Sequence, residues 1–122
     1  MTYPDARTVL AQAMTERELS QSVVDLAHAL GWLVARWPAW RPTGTDPGVP
    51  DVLLVRPSLS DRPSLIFAEL KSEKGGVTEA QARWLTALDL ASHPCSDERN
   101  GIVVVVWRPS DLLSGRIEKE LH

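Results

Sequence analysis

Two stretches of the chain have the periodicity of amphipathic helices. From Leu19 to Leu30, apolar residues recur at spacings of three, four and seven, which is typical of one face of a helix. The segment Thr15-Glu16-Arg17-Glu18 precedes this run with the spacing of a capping box, so the helix is predicted to begin there. The segment Thr78-Glu79-Ala80-Gln81 has the same spacing and opens a second helix, which is predicted to end near Ala91.

Four apolar segments have the length and composition of strands: residues 32–37, 51–56, 65–71 and 102–107. A turn-rich stretch separates the second from the third, which predicts an antiparallel hairpin. The fourth is apolar at every position and rich in valine, which predicts a central strand covered on both faces. Residues 38–50 hold several prolines and glycines and are predicted to form an irregular loop.

The order of these elements predicts an α/β fold. A last short helix begins at Pro109 and is broken at Gly115, which makes the order α-β-β-β-α-β-α. That order indicates a mixed four-stranded sheet flanked by helices. Residues 1–14 carry little pattern and are expected to form an N-terminal tail, and residues 15–122 are expected to form a single domain.

Composition excludes several classes of protein. The chain has 122 residues, of which 43% are hydrophobic and 24% charged, so it is neither disordered nor collagen-like. A single cysteine cannot form an internal disulfide, which is typical of a reducing compartment, and we expect a cytoplasmic location. The longest apolar run is too short to cross a bilayer and the N-terminus lacks the apolar core of a signal peptide, so no membrane association is expected.

Polar residues on two predicted strands suggest a metal site. Glu69 and Lys71 are two residues apart, so strand alternation places their side chains on one face. Asp51 begins the strand that is predicted to pair with theirs, and the hairpin can bring it beside Glu69. Two carboxylates held that close repel each other, and a hard divalent cation bound between them relieves the repulsion. A lysine beside the metal can orient water or stabilise charge on a phosphate.

Each of these residues also has a purely structural interpretation. Asp51 is a common turn residue, and Glu69 with Lys71 could form an ion pair on an exposed strand. Gln81 is the reciprocal residue of a capping box, and Glu16 is an acidic residue favoured in the first turn of a helix. The combination of Asp51, Glu69 and Lys71 with the predicted strand order favours the metal site.

The sequence resembles the PD-(D/E)xK nuclease signature. Gly48-Val49-Pro50-Asp51 is followed, after seventeen residues, by Glu69-Leu70-Lys71. The wider pattern, over about residues 15 to 113, resembles a stand-alone VRR-NUC domain, the virus-type replication-repair nuclease family. The supporting segments are a first helix that bears glutamates and ends at Gly31-Trp32, then Gly75-Gly76, residues 78–85, and residues 107–111 after the closing strand.

The resemblance implies a restriction-endonuclease-like core and a Mg²⁺- or Mn²⁺-dependent endonuclease that leaves a 5′-phosphate and a 3′-hydroxyl. It implies that Asp51 and Glu69 bind the metal together with the backbone carbonyl of Leu70. Lys71 would position the attacking water, and Gln81 would orient Lys71 or the water.

The resemblance also implies a glutamate of the first helix near the site, for which Glu16 and Glu18 compete. With Val23 as the centre of the apolar face, Glu16 falls about 20° and Glu18 about 140° away at 100° per residue. Glu18 also has a sufficient role in the capping box. We therefore expect Glu16 to be the glutamate that belongs to the site, as one of its catalytic residues and as a candidate further metal ligand.

Stand-alone members of this family resemble Holliday-junction resolvases of DNA repair, which implies branched or structured DNA as the substrate. A four-way junction needs two active sites, so a homodimer is expected, without a small-molecule cofactor. A bacterial or phage-encoded protein is expected. Two alternatives stay open: a nickase or flap nuclease of the same fold, and a non-catalytic nucleic-acid-binding module. The presence of Asp51, Glu69 and Lys71 together favours an enzyme.

The net charge of −3 argues mildly against binding nucleic acid by charge alone. Seven basic residues are nevertheless available for phosphates: Arg36, Arg41, Arg56, Arg62, Lys74, Arg83 and Arg108. Of the tryptophans, Trp84 and Trp107 are expected in the core. Trp37 and Trp40 flank the proline-rich loop, where they could stack on an unpaired base, although buried anchors of the loop are favoured.

Overall fold

The computed structural model describes residues 3–37, 44–57, 64–92 and 101–122. These ranges contain five helices and four strands: α1 (Ala6–Ala13), α2 (Glu16–Ala29), β1 (Leu33–Arg36), β2 (Val52–Val55), β3 (Leu65–Leu70), α3 (Glu79–Ser92), β4 (Ile102–Trp107), α4 (Pro109–Leu113) and α5 (Arg116–Leu121).

The strands form one mixed sheet in the order β1-β2-β3-β4. β2 pairs antiparallel with both β1 and β3, and β4 pairs parallel with β3 after the α3 crossover. The α/β fold, the mixed four-stranded sheet flanked by helices and the β2–β3 hairpin are therefore confirmed.

One face of the sheet packs against α2 and α5 to form the core. Ile66, Ala68 and Leu70 alternate along β3 and are buried there, as the period-two pattern predicts. The predicted apolar face of α2 supplies further core residues: Leu19, Val23 and Ala27. The predicted capping box at Thr15 is present and begins the helix.

The prediction that residues 102–107 form a central strand is wrong, because β4 lies at an edge of the sheet. Within the described residues, β4 pairs only with β3. α3 packs against one face of β4, and the core lies against the other, so its side chains from Ile102 to Val106 are half-buried. An apolar pattern on both faces reports these two covering layers and contains no information about the number of neighbouring strands.

A helix lies within the predicted N-terminal tail, whereas the C-terminal helices agree with the prediction. Ala6–Ala13 in the predicted N-terminal tail form α1, which Asp5 caps by accepting a hydrogen bond from the backbone N–H of Thr8 at 2.7 Å. α1 packs against α4 and buries Ala11. The predicted break at Gly115 is confirmed, with φ of 83° between α4 and α5.

The tryptophans divide between the core and the surface. Trp107 is fully buried, as predicted, and its Nε1 donates to Glu120 Oε2 at 2.8 Å. Trp84 does not lie in the core: it is half-buried on α3, where it lines an open cleft with Pro47 and Arg83. None of the helices in the described ranges is long and apolar enough to span a membrane.

Candidate metal centre

The register of the β2–β3 hairpin brings the two predicted carboxylates together. Val52 lies opposite Ala68, so one position further along the pair Asp51 lies opposite Glu69. Directly opposed residues of antiparallel strands have Cβ atoms about 5 Å apart. Asp51 Oδ2 also accepts a hydrogen bond from the backbone N–H of Leu70 at 2.8 Å, which fixes the Asp51 side chain against the end of β3.

Glu69 is buried, and one of its two carboxylate oxygens has no partner. The residue is 1% exposed. Its Oε1 accepts a hydrogen bond from Gln81 Nε2 at 2.8 Å, whereas its buried Oε2 has no hydrogen-bond partner in the part of the chain that the structure describes. Burial, together with the adjacent carboxyl group of Asp51, raises the pKa of Glu69 to about 8; Glu16 acts in the same direction and Lys71 opposes it. The groups around Glu69 therefore do not offset the cost of a negative charge on its buried carboxyl group.

Lys71 is the cation closest to Glu69 among the ion pairs of the described residues. Its Nζ lies 4.0 Å from Glu69 Oε1, and its side chain is 10% exposed. The backbone N–H of Lys71 donates to the carbonyl of Trp107 at 3.0 Å, which extends the β3–β4 pairing by one residue. Lys71 is thus held at the end of the strand pair, beside the carboxylates, as the sequence predicts.

Gln81 forms the predicted capping box, and its side chain also donates to Glu69, a contact that the sequence analysis did not include. Its backbone N–H donates to Thr78 Oγ1 at 3.2 Å and its Oε1 accepts from the N–H of Thr78 at 2.9 Å, which is the capping box of α3. Its Nε2 remains free of the cap and donates to Glu69. The two ends of one amide therefore anchor the helix and orient Glu69.

Gly48 allows the loop before Asp51 to lie directly against the first turn of α3. A Cβ atom at Gly48 would stand 2.6 Å from the backbone nitrogen of Gln81 and closer still to the carbonyl group of Ala80. Gly48 also has φ of +92°, which favours glycine. This contact holds the loop before Asp51 against Gln81, and the sequence, in which Gly48 is part of the motif, does not reveal it.

The structure separates the roles of the two glutamates of α2. Glu18 Oε1 accepts hydrogen bonds from the backbone N–H of Thr15 at 3.1 Å and from its hydroxyl at 3.0 Å, and these bonds lower the pKa of Glu18. Glu16 is not engaged in the cap. Its Oε1 lies 3.6 Å from the position that a Cβ of Gly75 would occupy, and its charge contributes to the raised pKa of Glu69. Glu16 is thus the glutamate of α2 whose charge acts on the centre.

An open groove of about 950 Å³ runs along the exposed side of this cluster. The first two turns of α2, the end of β1 and the ends of β2 and β3 contribute its lining: Glu16, Arg17, Glu18, Ser20, Gln21, Arg36, Trp37, Asp51 and Leu70. Asp51 and Leu70 therefore line an open groove beside the carboxylate pair.

The residues fit a hard divalent cation that completes its coordination with water and substrate. Within the described residues, no three His, Cys, Asp or Glu side chains form a group that could hold a metal by themselves. Asp51 and the unpartnered Oε2 of Glu69 offer two carboxylates. The carbonyl of Leu70 lies on the same side of β3 as its N–H, which is the side of Asp51. Mg²⁺ is commonly bound by one or two carboxylates with waters and phosphate oxygens, so this donor set suits Mg²⁺ or Mn²⁺.

Two of the arginines expected to contact phosphates have structural roles instead. Arg56 is buried: it stacks 4.1 Å over the ring of Trp32 and donates to the carbonyl of Leu121 at 2.6 Å. Arg108 Nη1 donates to the carbonyls of Ser72 at 2.8 Å and Gly75 at 2.7 Å, and a third bond goes to the carbonyl of Glu73. Arg108 thus holds the turn that follows Lys71, a role that its position after β4 does not reveal in the sequence.

The remaining basic residues are distributed over the surface. Arg36 lines the groove, Arg83 lines the separate cleft beside α3, and Lys74 is exposed. Arg41 and Arg62 lie outside the described residues, as does Trp40. Arg17, which sequence reasoning passed over, also lines the groove.

Comparison of the chain with protein-family models, with curated proteins and with solved structures finds no match. The function proposed below therefore rests on the geometry of the centre and on the resemblance of its residues to the nuclease signature.

Proposed function

We propose that this protein is a Mg²⁺- or Mn²⁺-dependent endodeoxyribonuclease with a PD-(D/E)xK core resembling a VRR-NUC domain. The observation that supports it most strongly is the placement of Asp51 opposite Glu69, with a buried and unpartnered Glu69 Oε2 and with Lys71 beside them. Its substrate is branched or structured DNA inside the cell. Metal-dependent hydrolysis of a phosphodiester bond in this DNA leaves a 5′-phosphate.

The chain's own residues have separate tasks in this reaction. Asp51, Glu69 Oε2 and the carbonyl of Leu70 would hold the metal, which when bound would supply a more acidic water and polarise the phosphate. Gln81 fixes the orientation of Glu69 through Oε1, which leaves Oε2 for the metal. Lys71 positions the attacking water and stabilises charge that develops on the scissile phosphate. Glu16 is a further acidic residue at the edge of the centre.

The energetics of the cluster favour a functional role over a structural one. A buried carboxylate next to a second carboxylate destabilises the folded state unless a cation compensates it. Lys71 is a single cation at 4.0 Å, and Asp51 and Glu16 both add negative charge. An apolar side chain at Glu69 would pack against α3 without this penalty, so the fold itself does not need the cluster.

The resemblance to Holliday-junction resolvases extends this proposal to a homodimer that acts on a four-way junction in DNA repair. A nickase or flap nuclease of the same fold is the second candidate. The specific observation that favours it is the exposed Trp37 in the groove beside the centre, where an unpaired strand could lie. If the protein cleaves none of the DNA substrates, a non-catalytic nucleic-acid-binding module is the remaining candidate.

The experiment is cleavage of end-labelled DNA by the full chain with Mg²⁺, with Mn²⁺ and with a chelator. The substrates are a four-way junction, a flap, a single strand and a plain duplex. Asp51→Asn is expected to abolish cleavage, and Asp25→Asn, which removes an exposed carboxylate on the outer side of α2, is expected to leave it unchanged. Cleavage that persists in Asp51→Asn, or that needs no divalent cation, would contradict the proposal.

A further inference from the structure

An aromatic side chain lies in the same row of the sheet as the two carboxylates. Arg36 lies opposite Val52, so one position further Trp37 lies opposite Asp51, which itself faces Glu69. Neighbouring strands are about 5 Å apart, so the Trp37 backbone is about 5 Å from that of Asp51 and about 10 Å from that of Glu69. Trp37 thus stands beside the proposed metal centre, one strand away from its exposed ligand.

Trp37 is not the buried anchor that the sequence favoured. It is 47% exposed, and it lines the groove with Asp51 and Leu70. A half-exposed indole offers a flat apolar surface to a ligand, and stacking on a nucleobase is one interaction that uses such a surface. A base inside a duplex already stacks on both of its neighbours, so only an unpaired or displaced base can stack on this indole.

Two guanidinium groups line the same groove. Arg36 Nη1 donates to Ser20 Oγ at 3.3 Å, which directs the Arg36 side chain across the groove towards α2. Arg17 is in the first turn of α2, where the helix dipole disfavours a cation. Within the described residues, Arg17 makes no ion pair that would offset this placement. Guanidinium groups bind phosphate oxygens well, because their donors match the phosphate geometry.

We propose that this groove is a binding site for an unpaired nucleotide next to the scissile phosphate, with its base stacked on Trp37 and its phosphate on Arg17 and Arg36. The inference rests on the proposed function and names its substrate class: DNA with a single-stranded segment beside the cleaved bond. The groove, at about 950 Å³, is within the size range of sites that hold single small ligands.

The first test compares steady-state cleavage of a flap with cleavage of a plain duplex. Trp37→Ala is expected to raise KM for the flap by about 5- to 150-fold, the equivalent of one base–aromatic stack, with kcat unchanged. For the plain duplex, which offers no unpaired base, Trp37→Ala is expected to leave KM unchanged. Trp37→Phe retains an aromatic face, so its KM for the flap is expected to stay close to that of the wild type.

The arginines are tested through the salt dependence of binding to a single strand. Arg17→Ala and Arg36→Ala are each expected to reduce the slope of log K against log salt by about 0.7, the value for one phosphate contact of a single strand. Arg83→Ala is the matched control, because Arg83 lies in the separate cleft beside α3, and it is expected to leave the slope unchanged.

A binding measurement keeps this inference separable from the nuclease proposal. Flap DNA with 2-aminopurine at successive positions is titrated with the Asp51→Asn variant. Quenching of the 2-aminopurine fluorescence is expected at one or two nucleotides beside the junction. The double variant, which also carries Trp37→Ala, is expected to lose this quenching. If this quenching pattern is observed but the wild-type protein cleaves no DNA, the nucleotide site in the groove is supported and the nuclease function is contradicted. If the wild-type protein cleaves DNA but Trp37→Ala impairs cleavage of the flap and of the duplex equally, the proposed nucleotide site in the groove is wrong. Cleavage by the wild-type protein without any fluorescence quenching would also contradict that site.

Discussion

Replacement of Glu69 by glutamine is expected to stabilise the metal-free protein at high pH. Burial raises the pKa of Glu69 from 4.5 to about 8, so between these values the folded protein retains a proton that the unfolded chain has released. This contribution to stability is complete below pH 4.5 and is lost as the pH rises to about 8. Glu69→Gln keeps the acceptor for Gln81, removes the titration and places a donor towards Asp51.

The size of the effect follows from the width of that window. Each pH unit corresponds to about 1.4 kcal/mol, so ionising Glu69 lowers the free energy of unfolding by at most about 5 kcal/mol. We expect Glu69→Gln to be within about 1 kcal/mol of the wild type at pH 5 and more stable by a few kcal/mol at pH 8. Urea denaturation in a chelator at pH 5, 6, 7 and 8 measures this difference.

The cap glutamate provides a control of opposite sign. Its hydrogen bonds to Thr15 lower the pKa of Glu18, so Glu18→Gln is expected to destabilise the protein at neutral pH and less so in acid. Added Mg²⁺ or Mn²⁺ at pH 8 is expected to stabilise the wild type and not Glu69→Gln. A Glu69→Gln variant that is less stable than the wild type at pH 8 would show that Glu69 and Lys71 form a stabilising ion pair, and would refute the reasoning.

Three further predictions concern residues around the centre. Gly48→Ala is expected to lose about 2–4 kcal/mol in urea denaturation, because of its positive φ and its contact with α3, whereas Gly76→Ala, with open space around it, is expected to stay within about 1 kcal/mol. Arg108→Ala is expected to speed amide exchange in the turn over residues 72–75 and to lower the cleavage rate; unchanged exchange would show that the turn holds itself. Glu16→Gln is expected to lower the cleavage rate at least tenfold and Glu18→Gln to leave it within twofold, as single-turnover assays would show, and equal losses would contradict the separation of their roles.

The sequence was sufficient for the parts of the fold that local chemistry determines. Both capping boxes place helix starts, and the alternation along β3 assigns one of its faces to the core. The hairpin register then brings Asp51 opposite Glu69, because Asp51 immediately precedes β2 and Glu69 is near the end of β3 on the same side of the antiparallel pair. These features depend on neighbours within a few residues or on one turn, which a sequence pattern records directly.

Long-range contacts account for what the sequence did not reveal. The edge position of β4 depends on which strands are its neighbours, and a pattern of burial on two faces does not report them. Arg56 and Arg108 have the same chemistry as arginines that bind phosphates, and only their tertiary contacts with Leu121 and with the turn after Lys71 show that they are occupied. The close approach of Gly48 to α3 likewise joins segments more than thirty residues apart.

Single-turnover cleavage of end-labelled branched DNA, as a four-way junction and as a flap, tests the central claim most directly. The wild-type protein and the Asp51→Asn variant are compared with Mg²⁺, with Mn²⁺ and with a chelator, at equal protein concentration. The proposed centre predicts cleavage by the wild type that needs the divalent cation and that is absent in Asp51→Asn. Equal cleavage by both proteins, or cleavage in the chelator, would contradict the assignment of Asp51 and Glu69 as the metal ligands of a nuclease.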